Sequence, residues 1–247
     1  MTRLPLMIAA ALALIAPVTA MAQGNSCNVA GAAVRQWSIR PDASTITPQQ
    51  QPITSYTFAL TWSPQFCADN AKQVDTAFQC GGGNRFGFVV HGLWPEGPRW
   101  CSSQSPAIAD MQGAMCTTPS SWTLTHEWLK HGSCAFARPA DYYAKERALF
   151  AGLRMPNMAA LAARGGLTAG ALRNALVAGN PALRATQYDS PRGKRFGIGI
   201  KTAGDRMSLR EVTFCLDPQY RFIACRGAAQ GAWDDDAIRI QPVPAGR

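Results

Sequence analysis

Histidine is scarce in this chain: only His91, His126 and His131 occur in 247 residues. Several other features are missing altogether, and each absence removes a class of function. No C-x-x-C pair is present, and the His are not spaced as finger ligands, which argues against a zinc module. No G-x-S-x-G is present, so a serine hydrolase of the nucleophile-elbow type is a poor fit. Beyond residue 22 no apolar run approaches the about 20 residues that cross a bilayer. No internal repeat appears, which sets solenoids and propellers aside. Acidic residues are few, 15 Asp and Glu against 24 Lys and Arg, giving +9 and a pI near 9.4.

What is there begins with an export signal. Residues 1–22 carry Arg3, an apolar core from Leu6 to Val18 and a small-x-small cleavage site at Ala20-Met21-Ala22. That pattern predicts a secretory signal peptide, with Gln23 starting the mature chain and a secreted or periplasmic location. The remainder, with a charge of about +8, is long enough for one large domain. Residues 23–53 are expected to be an N-terminal arm or loop, rich in Pro, Gln, Ser and Thr over 40–53, and residues 54–247 a single catalytic domain. Eight Cys behind a signal peptide point to disulfides rather than free thiols. Cys215 and Cys225 flank two short strands around Asp217-Pro218, so a local bridge is expected there. Spacing leaves the other pairings open. A basic exported domain favours polyanions, nucleic acid among them. Asp234 to Asp236 form the one acidic run and read as a solvated turn.

The patterning predicts strands over residues 54–62 and 85–91, the second ending where His91 enters a loop. A long stapled loop follows over 95–119. Helices are expected over 120–131, closed by Gly132, over 141–153 with Asp141 as N-cap, and over 156–164 and 168–178. Strands are expected over 196–201, 208–216 and 220–225. Strands and helices segregate, so the class is α+β with a mainly antiparallel central sheet, packed helices and disulfide staples.

All three His lie in two motifs, HGLWP (residues 91–95) and HEWLKHGSC (126–134). On a helix, His126, Glu127, Lys130 and His131 share an arc of roughly 140°, with Trp122, Thr125, Trp128 and Leu129 on the opposite, apolar side. Glu127 and His131 stand at i,i+4, within reach of one another. HEWLKH looks like a metalloprotease H-E-x-x-H, but its His stand five residues apart rather than four. Acid–base chemistry without a metal or cofactor remains. One imidazole takes a proton from a nucleophile and the other gives one to a leaving group, while a Lys stabilises charge on a pentavalent phosphorus. A His at a helix C-terminus is also favoured as the cation. In RNA the 2′-hydroxyl is a built-in nucleophile.

The two motifs resemble the signature segments of the ribonuclease T2 family. Ser133 stands where most members have Thr. LTWSPQFC (60–67) and LREVTFCL (209–216) resemble the family's first core strand and a late strand. The resemblance implies a ribonuclease T2-like α+β fold and metal-independent cleavage of single-stranded RNA through a 2′,3′-cyclic phosphate; a monomer is the default expectation, since the sequence does not show oligomeric state. It implies His91 as general acid, His131 as general base, and Glu127 and Lys130 as the pair that stabilises the transition state. His126 is implied as a phosphate-binding residue and the Trp94 neighbourhood, with Glu96, as part of a base pocket. The residues alone do not decide which His is acid and which is base. The resemblance further implies a Cys101–Cys134 bridge, with Cys116 as a competing partner. Two other classes stay open, a non-catalytic polyanion binder and a phosphodiesterase for small cyclic nucleotides.

Overall fold

The computed structural model describes residues 25–41, 46, 52–70, 76–81 and 83–244. The predicted signal segment lies outside them, as does most of 40–53. In chain order the elements are β1 (Tyr56–Trp62), α1 (Ser63–Asn70), α2 (Ala77–Cys80), β2 (Phe88–Pro95), α3 (Ile108–Gln112), α4 (Ser121–Lys130), α5 (Pro139–Gly152), α6 (Met158–Ala162), α7 (Ala169–Gly179), β3 (Gln187–Ser190), β4 (Gly193–Phe196), β5 (Ile198–Thr202), β6 (Leu209–Leu216) and β7 (Phe222–Ile223). The fold is α+β, as the sequence indicates. A five-stranded antiparallel sheet in the order β2-β1-β6-β5, with β7 also paired to β6, carries helices against it. Phe58, Leu60, Val90, Val212, Phe214 and Ile200 fill its core, and Trp62 is buried with its indole N–H donated to Gln241 O. Strands β1 and β6 are buried almost throughout, including the polar Thr57, Glu211 and Thr213.

Several local expectations change. His91 lies inside β2, which runs on to Pro95, and not in a loop. Pairing slips opposite Ala59 and Leu60: Ala59 faces Gly92 and Leu60 faces Val90, leaving His91 as the extra residue of a β-bulge. A bulge reverses the side-chain phase of a strand. His91 and Trp94, an odd number of positions apart, therefore share one face. Helix α5 is capped at Arg138 with Pro139 in its first turn, and Asp141 instead ion-pairs with Arg138. Proline's fixed φ and missing N–H suit that first position. The loop after Pro95 contains α3. The hairpin β3–β4 was not expected, because its residues are largely polar and exposed and show no apolar alternation. Asp235 is solvated, but Asp234 clamps the buried Arg173, whose other protons go to the carbonyls of Ile198, Gln230 and Ala232.

All eight Cys are paired. Cys215–Cys225 closes β6 on β7, Cys67–Cys80 joins α1 to α2, Cys101–Cys134 fastens the segment after β2 to the end of α4, and Cys27–Cys116 ties residues 25–41 to the loop before α4. The competing Cys116 is thereby taken by Cys27. The N-terminal segment is held further by Trp37, whose indole N–H donates to Ser121 Oγ.

Candidate active site

Two elements bring the motifs together. Helix α4 starts at Ser120, whose hydroxyl accepts from Thr123 N–H, and ends at His131, the C-cap. Strand β2 runs past it at Gly92. A β-carbon at Gly92 would overlap Trp94 Nε1 and the Glu127 carboxylate, so the missing side chain is what lets helix and strand meet. Gly132 does the same at the helix end, where a β-carbon would strike the rings of Tyr142 and Trp128. Trp100 sits at φ 61, a rare region for a bulky residue. It is held there by its N–H to Lys130 O and by the neighbouring Cys101–Cys134 bridge, and its ring meets the edge of His126.

Glu127 is the centre of the site. It is buried, and its Oε2 accepts the Trp94 indole N–H at 2.6 Å. His91 Nε2 stands 3.5 Å from its Oε1 and His131 Nε2 stands 4.0 Å from its Oε2. One carboxylate thus faces both imidazoles. Trp94 packs edge-on to His91 and tilted against His131, with ring centroids 5.1 Å and 5.6 Å apart. Lys130 brings its charge to bear on Glu127, His126 and His131. His126 is set apart from the pair, stacked on Trp122 at 4.9 Å. Trp122 is 43% exposed and so does not belong to the apolar face assigned to it by helical periodicity. Glu96 is exposed and accepts from Thr57.

The environments drive the titrating groups apart. Burial lowers the His131 pKa to about 2, with Lys130, His126 and Arg99 adding in the same direction. The helix C-terminus, which favours a cation, is outweighed by the loss of water. Burial and Lys130 likewise lower His126 to about 4. At His91 burial also lowers the pKa, but the Glu211 hydrogen bond and the charges of Glu127 and Glu211 outweigh it, and the net direction is up. Burial raises Glu127 against the pull of His91, Trp94 and Lys130.

Two charged residues at this site were not anticipated. Glu211 of β6 meets His91 Nδ1 at 2.7 Å, and Lys201 of β5 meets the other Glu211 oxygen at 2.9 Å. The available signal was the adjacent pair Arg210 and Glu211 inside LREVTFCL, because alternation in a strand turns one of two neighbouring charges inward, and buried charges are rare unless paired. A cavity of about 730 Å³ opens beside these groups, lined by His91, Trp94, Lys201, Glu211, Arg210 and Trp122 among others. His131 sits behind this wall, 7% exposed.

Residues 53–225 match the sequence model of the Ribonuclease T2 family. The chain belongs to that family. It is 37% identical over 123 residues to a Haemophilus influenzae protein named "Probable ribonuclease", covering 43% of this chain and 45% of that one. It is 36% identical over 92 residues to a ribonuclease of Aeromonas hydrophila, covering 36% and 40%. The matches therefore span under half the length of these curated relatives. Among solved structures the fold resembles an RNase-related protein from Calystegia sepium, with a TM-score of 0.58, 17% identity, and 78% of this chain and 99% of that one covered. It also resembles RNase NT, solved in complex with 5′-AMP, with a TM-score of 0.52, 18% identity, and coverage of 76% and 99%.

Proposed function

We propose that the protein is an exported endoribonuclease that cleaves single-stranded RNA by internal transesterification, without a metal or cofactor. The observation that carries this reading is the placement of two imidazoles on one buried carboxylate, with their proton affinities driven in opposite directions. Titrating pairs pushed apart in this way mark an acid and a base. His131 is neutral near pH 7 and accepts the 2′-hydroxyl proton. The 2′-oxygen attacks the adjacent phosphorus, the P–O5′ bond breaks, and the proton on His91 passes to the departing 5′-oxygen. The products are a 2′,3′-cyclic phosphate and a 5′-hydroxyl. Lys130 supplies positive charge toward the phosphorane, and Glu127 holds both imidazoles in register while Trp94 fixes Glu127. His126, kept neutral beside Trp122, serves phosphate binding through its ring N–H.

Residues 1–22 direct export, four disulfides suit an oxidising compartment, and residues 54–247 work as one catalytic domain in a monomer, with residues 23–53 as an arm. No helix among the described residues is long and apolar enough to cross a membrane. The decisive assay offers RNA, the matching DNA and RNA with excess EDTA. RNA is cut in both RNA reactions and DNA is spared, because DNA lacks the nucleophile. Inhibition by EDTA or cleavage of DNA overturns the mechanism. His131→Ala abolishes cleavage; retention of a biological effect by that variant would favour a polyanion binder. Cleavage rate is expected to fall as pH rises through the elevated His91 pKa and to persist well below pH 6.5.

A further inference from the structure

We propose that Glu211, anchored by Lys201, is a positioning residue that fixes the rotamer and tautomer of His91, so that the imidazole presents its Nε2 proton to the leaving oxygen. The inference rests on the acid role given to His91 above and assigns that role a partner two strands away on the same face of the sheet.

The geometry comes from strand register. Glu211 pairs with Thr61 on β1 and with Lys201 on β5, so these three residues form one row on the face that carries His91. Strand β1 separates β6 from β2, a span of about 10 Å for two strand spacings. Across it, the small Thr61 leaves room for Glu211 and His91 to meet at 2.7 Å. Alternation from Val89, which pairs with Thr61, puts His91 on that face, and the bulge after it brings Trp94 onto the same face. Both Glu211 oxygens are engaged, Oε2 with His91 Nδ1 and Oε1 with Lys201 Nζ at 2.9 Å. The carboxylate is 9% exposed, while His91 is 37% exposed and lines the cavity. An ionised carboxylate is an acceptor only, so Nδ1 must be the donor. The proton at Nε2 is then the one free to leave. A carboxylate behind the imidazole also stabilises the cation that an acid needs before it gives up its proton.

The groups facing His91 come from four elements: Glu211 from β6, Lys201 from β5, Glu127 with His126 and His131 beyond it from α4, and the uncharged Trp94 of its own strand. Glu211 and Glu127 raise its proton affinity and Lys201 lowers it. Removing the two partners of the row should therefore move His91 in opposite directions, which a merely structural ion pair would not do.

The test uses Glu211→Gln, Glu211→Ala and Lys201→Met in the whole chain. It combines NMR titration of the His91 imidazole with pH profiles of kcat and KM on a dinucleoside monophosphate. In Glu211→Gln the amide oxygen still accepts from Nδ1 but carries no charge. The His91 titration and the alkaline limb of kcat/KM both move to lower pH, and kcat falls on the order of tenfold near neutrality with KM little changed. Glu211→Ala frees the ring as well and loses on the order of 10²-fold or more in kcat. Lys201→Met moves the titration and the alkaline limb upward. An unmoved His91 titration in Glu211→Gln, or activity losses that follow the folded fraction alone, overturns the proposal. Should Glu211→Ala fail to fold, the near-isosteric Gln variant still decides. If the parent protein does not cleave RNA, the reading of the chemistry fails, while the titration still reports whether Glu211 governs His91.

Discussion

The closest approach in the site is made at Gly92, and a single methyl group there tests the arrangement. In Gly92→Ala the new β-carbon falls on Trp94 Nε1 and on the Glu127 carboxylate, which are joined by a 2.6 Å hydrogen bond. Neither neighbour is the free end of a flexible chain: Glu127 is buried and Trp94 is wedged between two His rings. Overpacking a filled site costs about 1–3 kcal/mol. Losing a hydrogen bond to a charged group costs about a further 1.5–3 kcal/mol. The sum, on the order of 3–5 kcal/mol, lowers the melting temperature by roughly 10 °C in a domain of this size. Activity should fall further than stability does, because Glu127 loses the donor that aims it at both imidazoles. The assay is thermal melting by circular dichroism with kcat on RNA measured well below the transition. Gly152→Ala, where an added methyl meets nothing within 4 Å, is the control and should leave both unchanged. A Gly92→Ala protein that melts with the parent and keeps its kcat would refute the claim that this contact organises the site.

Replacing Cys101 and Cys134 together by Ser removes a bridge spanning 33 residues, and about 3–4 kcal/mol of stability should go with it; denaturant titration checks the loss, and activity should fall at temperatures where the fold survives. Glu146 is buried beside Tyr142, and burial raises its pKa to about 8. Because its folded value lies above the unfolded 4.5, its favourable contribution is complete below pH 4.5 and is lost as pH rises through 8. Glu146→Gln should therefore flatten the decline of melting temperature between about pH 4.5 and 8, and an unchanged slope there would refute the assignment. Trp122→Ala uncovers His126 and should raise its pKa from about 4 toward 6.5, read by NMR, with only a modest drop in melting temperature because Trp122 is already 43% exposed.

Local chemistry was legible in the residues. The HEWLKHGSC helix and the clustering of Glu127, Lys130 and His131 follow from a 3.6-residue period, in which partners lie within four positions. The Cys215–Cys225 bridge was legible for the same reason, since only a tight hairpin separates the two. Both motifs and their family likeness are likewise written in adjacent residues. The His91 partner was not, because Glu211 stands 120 positions away and no local period links the two. The sharing of one face by His91 and Trp94 depended on one bulge, which shifts every following side chain to the other face and leaves no mark in composition. The state of His131 ran against its helix position, because the helix dipole is a local term and burial is set by what the rest of the chain lays on top. Sequence alone determined which groups the protein owns and which neighbours along one helix can touch. Tertiary structure decided which imidazole is pushed toward its cationic form and which away from it, because desolvation and cross-strand charge exist only once distant segments have closed around them.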